Sequence, residues 1–393
     1  MNIKSDIDYN RKAVKAILGS DDVIFFDFEI GGAAAFCAYV DSITDKELLG
    51  LEVIAPLSAS NPKKSATSLS KTITLANVKT IDKITDATDE ILNGNAAIFI
   101  DGKKKCITVD LKKFEVRAIS EPPGLAVRGP RNGFTESIKS NLSLVRRYLK
   151  SPDVKIETYE KGKYTKTSVA LIFIDGIARP DIVKKIREKI DAINIDGIPD
   201  SSYVAKLLSE RKTSLFKQVG STERPDVLIE RMLEGRIGII VDGSPFALTL
   251  PYLLIEDFQA AEDYYISQYR ANLVRALRVI AILFSILLPA VFVSSQLFHL
   301  QIIPLNFLLT IVNGIKEIPF SPSLEMFFVL LIFELLNETS VRMPKYVGMA
   351  LAVVGALVLG ETAVNAGIVS TPAILIMALS GISIYAIPEI VET

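Results

Sequence analysis

Tryptophan is absent from this chain of 393 residues, histidine occurs once, as His299, and cysteine twice, as Cys37 and Cys106. One imidazole and two separated thiols leave no His/Cys metal cluster to build, and no metal or other cofactor is expected. Both cysteines fall in strand-like apolar runs, which predicts buried, reduced thiols rather than a disulfide. The start, residues 1–12, is polar and has no apolar core of signal-peptide length behind it, so the front of the chain is expected to stay cytoplasmic. Cations are missing from the rear. Of the 44 Lys and Arg, 41 lie at or before Arg278, and only Lys316, Arg342 and Lys345 follow. Asp and Glu divide 38 to 7 at the same point, so the front carries about +3 and the rear −4. Neither balance is the basic footprint of a nucleic-acid binder.

What fills the rear is apolar. The whole chain is 49% hydrophobic with a mean hydropathy of +0.35, high for a purely soluble protein. Residues 279–295 (VIAILFSILLPAVFVSS) form an uncharged run that can begin to cross a hydrocarbon core when extended back over 273–277. Arg270, Arg275 and Arg278 precede it and are expected to hold that end on the cytoplasmic face. Three further spans are read at 324–341, 346–360 and 368–387, with 304–320 a shorter, polar-interrupted stretch. Arg342 and Lys345 fall between the second and third spans, on the inside of the topology set by the first.

The second span contains Glu325, Glu334, Asn337 and Glu338, with Arg342 four residues beyond Glu338. Carboxylates at membrane depth are costly and face a partner or a water-filled path. The third span carries Gly348, Ala352, Ala356 and Gly360 at i, i+4 spacing, a stripe that suits close helix packing or the lining of a narrow pore.

The soluble part reads as a duplication. ILNGNAAIFID at 91–101 corresponds to MLEGRIGIIVD at 232–242, and CAYVDSIT at 37–44 to LIFIDGIA at 171–178. Each pattern is a helix end with a Gly cap, a buried strand and an Asp-initiated turn, so the fold class expected is two tandem, similar α/β lobes, each a mixed sheet covered by helices, followed by an all-α multi-pass membrane domain. The divisions are a first lobe at 1–125, a connector helix at 126–151, a second lobe at 152–268 and a membrane domain at 269–393. Asp41, Asp101, Asp175 and Asp242 at the strand ends suit turns and caps better than a ligand site. In the connector, VRGPRNGFTESIKSNLSLVRRYLK, Arg beside Gly before a helix is compatible with phosphate, but no Walker pattern follows, and Thr135 is the expected N-cap. Residues 58–71 read as an exposed loop. The segment LPYLLIEDFQAAEDYY at 250–265 mixes aromatics with Glu256, Asp257, Glu262 and Asp263, as a collar at a bilayer surface would, coupling soluble lobes to membrane helices.

Several strings together resemble the A-subunit family of GerA-type spore germinant receptors, which includes the stage V sporulation protein AF. They are VRGPRNGFTESIKSNLSLVRR at 127–147, TERPD at 222–226, GRIGIIVDGSPFAL and EDFQAAEDYY within 233–265, VRMP at 341–344 and the GALVLGETAV that follows. The resemblance implies a multi-pass protein of the spore inner membrane, partnered by a transporter-like B subunit and a C-type lipoprotein. It also implies a homo-oligomer, a pentamer, whose membrane helices form a nutrient-gated cation channel. Family members continue past the segment matching 385–388 with a basic loop and a further hydrophobic region, whereas this chain ends at Thr393.

Two other classes stand beside that one. The tandem lobes are themselves a candidate nutrient-binding module, using the cleft between them. An enzyme is not expected, since no Walker pair and no nucleophile with a base is present.

Overall fold

The structure, a computed structural model, describes residues 1–393 except 63, 114–128, 212, 215, 317, 343–357 and 387–393, and leaves the side chains of 261, 340–342 and 358–359 undescribed. The chain divides into two compact units, Met1–Leu254 and Ile255–Thr393.

The first unit contains two five-stranded sheets with the same connectivity. Helix α1 (Ile7–Leu18) is capped by the Asp6 carboxylate, which accepts from the N–H groups of Asp8 and Tyr9, and it ends at Gly19 in the left-handed region. Strands β1 (Val23–Ile30) and β2 (Ala33–Val40) follow as a hairpin, then a helical run over 46–58 and a short helix at Ala66–Ser70. Strand β3 (Val78–Ile81), helix α2 (Ile84–Leu92) and strands β4 (Ala96–Ile100) and β5 (Cys106–Val109) complete the lobe, in the order β1-β2-β4-β5-β3. The second lobe repeats this plan: α3 (Ile138–Tyr148), β6 (Val154–Lys161), β7 (Thr167–Ile174), α4 (Pro180–Asp191), α5 (Ser201–Leu208), β8 (Gly220–Thr222), α6 (Pro225–Leu233), β9 (Ile237–Val241) and β10 (Ala247–Leu250). Its sheet order is β6-β7-β9-β10-β8.

All pairings among the described residues are antiparallel, so the mixed sheet expected from the sequence is corrected. Helices cover both faces all the same. The central strands β2, β4, β7 and β9 are therefore buried on both sides and read as unbroken apolar runs, a pattern that by itself also suits parallel strands. In the first lobe one face of the sheet packs Phe36, Ala38 and Phe99 against α1 and α2, with Phe36 and Phe99 stacked at 4.8 Å. The other face packs Cys37, Tyr39 and Ile98 against Leu49, Val53 and Leu69. Cys37 and Cys106 are buried, free thiols, and burial pushes both thiol pKa values up, Cys106 to about 12.

Local details repeat as well. Asn10 in α1 accepts from the Lys4 N–H at 2.9 Å and donates to the Lys4 carbonyl at 2.6 Å; Asn141 in α3 does the same to Thr135 at 2.8 and 2.6 Å. Gly94 and Gly235, each ending a helix at φ +91° and +94°, lie where a Cβ would stand 3.2 Å from the carbonyls of Ile43 and Ile177. Only glycine fits both constraints. These matches make α3 the counterpart of α1: it packs Leu142 and Val145 into the second lobe's core with Ile156, Ile172 and Leu228, rather than serving only as a connector. Its N-cap is Ser137, whose hydroxyl accepts from the Ser140 N–H, in place of Thr135. The stretch at 58–71 is also more ordered than a loop, since Ala66 and Leu69 are buried.

The second unit opens with two 3-10 turns, Leu254–Phe258 and Ala261–Tyr265. Helices α7 (Gln268–Phe298), α8 (Leu305–Ile315), α9 (Pro322–Arg342) and α10 (Thr371–Ile384) follow, packed around Phe292, Ile311, Met326, Val369 and Ala373. Among the described residues α7 alone is long and apolar enough to cross a membrane by length and composition, and α8 and α10 are shorter apolar helices.

Candidate functional site

Three clusters of charge stand apart from ordinary solvated surface. The first joins the lobes. Arg146, near the end of α3, is 1% exposed and points its guanidinium at the first lobe. Its Nε donates to Asp22 Oδ2 at 2.7 Å, and its Nη2 to Asp22 Oδ1 at 2.8 Å and to the Ser20 hydroxyl at 3.0 Å. Around this pair the turn before β1 lies along the outer edge of β6. The Asp21 N–H donates to the Ile156 carbonyl at 2.9 Å, the Ile156 N–H to Ser20 Oγ at 2.9 Å, and the Thr158 N–H to the Asp21 carboxylate at 2.9 Å. Lys155 Nζ caps the last carbonyls of α1, those of Ile17 and Leu18. The edge strand of one sheet is thus closed by the turn of the other lobe.

The second cluster sits at the start of α6. Arg224 and Asp226, both buried, form a bidentate pair at 3.1 and 2.7 Å. Glu230, one turn on, has its pKa raised to about 7, first by burial and then by the neighbouring Asp226. The Phe134 N–H donates to the Glu223 carbonyl at 2.7 Å, so the GFTE and TERPD strings, far apart in sequence, meet here.

The third cluster is the collar, where the acids face inward and the tyrosines outward. Glu256 and Asp263 are each 4% exposed, while Tyr264 and Tyr265 are exposed. Asp263 Oδ2 accepts from Arg278 Nη1 at 2.7 Å, from Arg275 Nε at 2.9 Å and from the Ala260 N–H at 3.3 Å, and Arg278 also donates to the Phe258 carbonyl at 3.2 Å. Burial alone would raise the Asp263 pKa, but the two guanidinium groups outweigh it and hold the carboxyl below its usual range. Asp257 is partly buried in the first 3-10 turn and Glu262 in the second.

The polar residues of the second predicted span separate in α9. Glu325 is buried at 3% exposure and accepts the Ser370 N–H at 2.6 Å, at the N-terminus of α10. Glu334 and Glu338 are exposed, and Asn337 Oδ1 accepts the Tyr385 hydroxyl at 3.2 Å. Arg342 closes α9. Gly348, Ala352 and Ala356 lie outside the described residues. Gly360 is exposed in a short helical turn, Val358–Thr362.

The family model described as Bacillus/Clostridium GerA spore germination protein matches residues 11–392. The chain belongs to the GerA family. It is 37% identical to spore germination protein KA of Bacillus subtilis (strain 168) over 382 residues, 95% of this chain and 70% of that one. It is 32% identical to spore germination protein GerLA of Bacillus cereus, over 96% of this chain and 78% of the relative. Among solved structures it is similar to the N-terminal domain of the A subunit of the Bacillus megaterium spore germinant receptor GerK3. That match has TM-score 0.52 and 32% identity, and covers 65% of this chain and 98% of that one.

The strings that carry the family resemblance now have places in the GerA chain: the Arg224–Asp226 pair with the segment around Phe134, the β9–β10 hairpin, and the Asp263 collar. Sequence reasoning named Asp263 but not its partners, and Arg275 and Arg278 only as orienting cations. It missed the Asp22–Arg146 pair altogether.

Proposed function

We propose that this chain is the A subunit of a spore nutrient germinant receptor: a multi-pass, homo-oligomeric subunit of the spore inner membrane whose helical unit forms a nutrient-gated cation channel. It works with a transporter-like B subunit and a C-type lipoprotein, and carries out no catalysis of its own. The observation that carries the reading is family membership across residues 11–392, with a first unit like that of a germinant receptor A subunit. In this reading the front unit is cytoplasmic, the oligomer is a pentamer, and the polar residues of α9, together with the small-residue stripe at 348–360, line or pack the conducting path. The test is ion release from spores in which Glu334→Gln or Ala352→Leu replaces the wild-type chain. Release altered in either variant, with the complex still assembled, supports the pore assignment; unchanged release in both overturns it.

The lobes as the nutrient sensor are the second reading. The Arg146–Asp22 pair and the β6 edge contacts tie the lobes together by direct bonds, where that reading needs a cleft that opens to a ligand. The conduction reading is the one favoured.

A further inference from the structure

We infer that the collar and the first turns of α7 form a tyrosine-lined belt seated in the headgroup layer of a lipid bilayer, with the Asp263 clamp turned away from the lipid. This rests on the reading that α7 crosses a membrane. An unbroken stripe on α7, Tyr269, Leu273, Leu277, Ile280, Phe284, Leu287 and Val291, is exposed at helical spacing, from 92% at Tyr269 to about half along the apolar run. Its opposite face buries Ala271, Arg278, Pro289 and Phe292. The two cations nearest the apolar run are thus drawn off the stripe, Arg278 at 8% exposure, and both are bonded to Asp263. Tyr264 at 52% and Tyr265 at 36% extend the exposed aromatic surface into the collar, with Arg275 over the Tyr264 ring.

Lengths agree with this placement. A helix of 31 residues is about 46 Å long, close to the roughly 40–45 Å of a bilayer with its headgroups. Centred in that thickness, the hydrocarbon core of about 30 Å takes up about 20 residues, 273–292, which leaves 268–272 at headgroup depth and Arg275 and Arg278 in the outer turns of the hydrocarbon. Tyrosine is suited to headgroup depth, because its ring seeks the apolar side and its hydroxyl stays wet. An unneutralised guanidinium in the hydrocarbon is costly, and Asp263 offsets that cost for both arginines.

Because the chain contains no tryptophan, single tryptophans report depth without interference. Tyr264→Trp, Tyr269→Trp, Leu283→Trp and Tyr164→Trp are placed one at a time in the full chain. Each is reconstituted in phosphatidylcholine and phosphatidylglycerol vesicles whose lipids are brominated either near the headgroup or near the chain ends. The Tyr264 and Tyr269 variants are expected to show blue-shifted emission, quenched mainly by the shallow bromines. The Leu283 variant is expected to be quenched mainly by the deep ones, and Tyr164→Trp, in an exposed hairpin of the second lobe, to emit as in water. If Leu283→Trp is quenched while Tyr264→Trp and Tyr269→Trp match Tyr164→Trp, the belt is overturned and the span stands; deep quenching at Tyr269 overturns it too. If Leu283→Trp is also unquenched, the membrane reading fails with it. Adding Asp263→Asn to the Tyr269→Trp chain is expected to shift emission to the red as the clamp opens, and unchanged emission would remove the clamp from the proposal.

Discussion

Arg146 and Asp22 lie 124 residues apart and are both buried, so each is the other's neutralising charge. Removing one member strands the other without water; Arg146→Ala is therefore expected to cost about 3–5 kcal/mol in denaturant unfolding, with Arg146→Met/Asp22→Leu recovering much of it. A loss in the double variant equal to the sum of the two single losses would show that the pair is not coupled. Glu230 adds a pH dependence. Its carboxyl titrates near 7 in the fold and near the ordinary 4.5 when unfolded, so the folded chain holds the proton more tightly. Stability from this group is complete below about pH 4.5 and is lost as pH rises through about 7, a loss of about 1–2 kcal/mol after discounting for its partial exposure. Glu230→Gln should raise the melting temperature at pH 8 and leave it nearly unchanged at pH 5. Neither site could be read locally: a last-turn arginine in an amphipathic helix looks like a cation complementing the helix dipole, and nothing in TERPD announces burial.

At the scale of elements, the repeat was visible because glycine and buried-strand patterns are short-range and strict. Gly94 and Gly235 each close a helix in the left-handed region beneath a carbonyl of the strand-end turn. Gly94→Ala and Gly235→Ala should each cost about 1–3 kcal/mol, and because the sites lie in different lobes the double variant should show their sum, checked by equilibrium unfolding. Strand direction was not visible. An apolar run buried on both faces carries no sign of whether its neighbour is parallel, and two covering helix layers hide the alternation that marks an antiparallel sheet. The helix at Ile138–Tyr148 was legible as a helix, but its place in the second lobe's core was not, since it shares with its counterpart α1 only the sparse pattern of Ile, Asn and Val at 138, 141 and 145 against 7, 10 and 14.

For the whole molecule, the junction of the lobes has a consequence that neither lobe shows alone. Buried charge, backbone bonds to an edge strand and a lysine cap all cross it, so residues 1–254 should unfold in one transition despite having two separate sheets. Calorimetry of that unit should give one peak, and Arg146→Ala should broaden or split it; two peaks in the unmodified unit would mean independent lobes. By itself the sequence determined the duplicated plan, the family and the apolar rear, because all three are written in local periodicity and in strings of fixed residues. Which charges meet is set by the packing of distant segments. Arg146 with Asp22, Arg224 with Asp226 beside Glu230, and Asp263 with Arg275 and Arg278 depend on where chain segments come together in space, and a charge carries no mark in the sequence of the partner that will neutralise it.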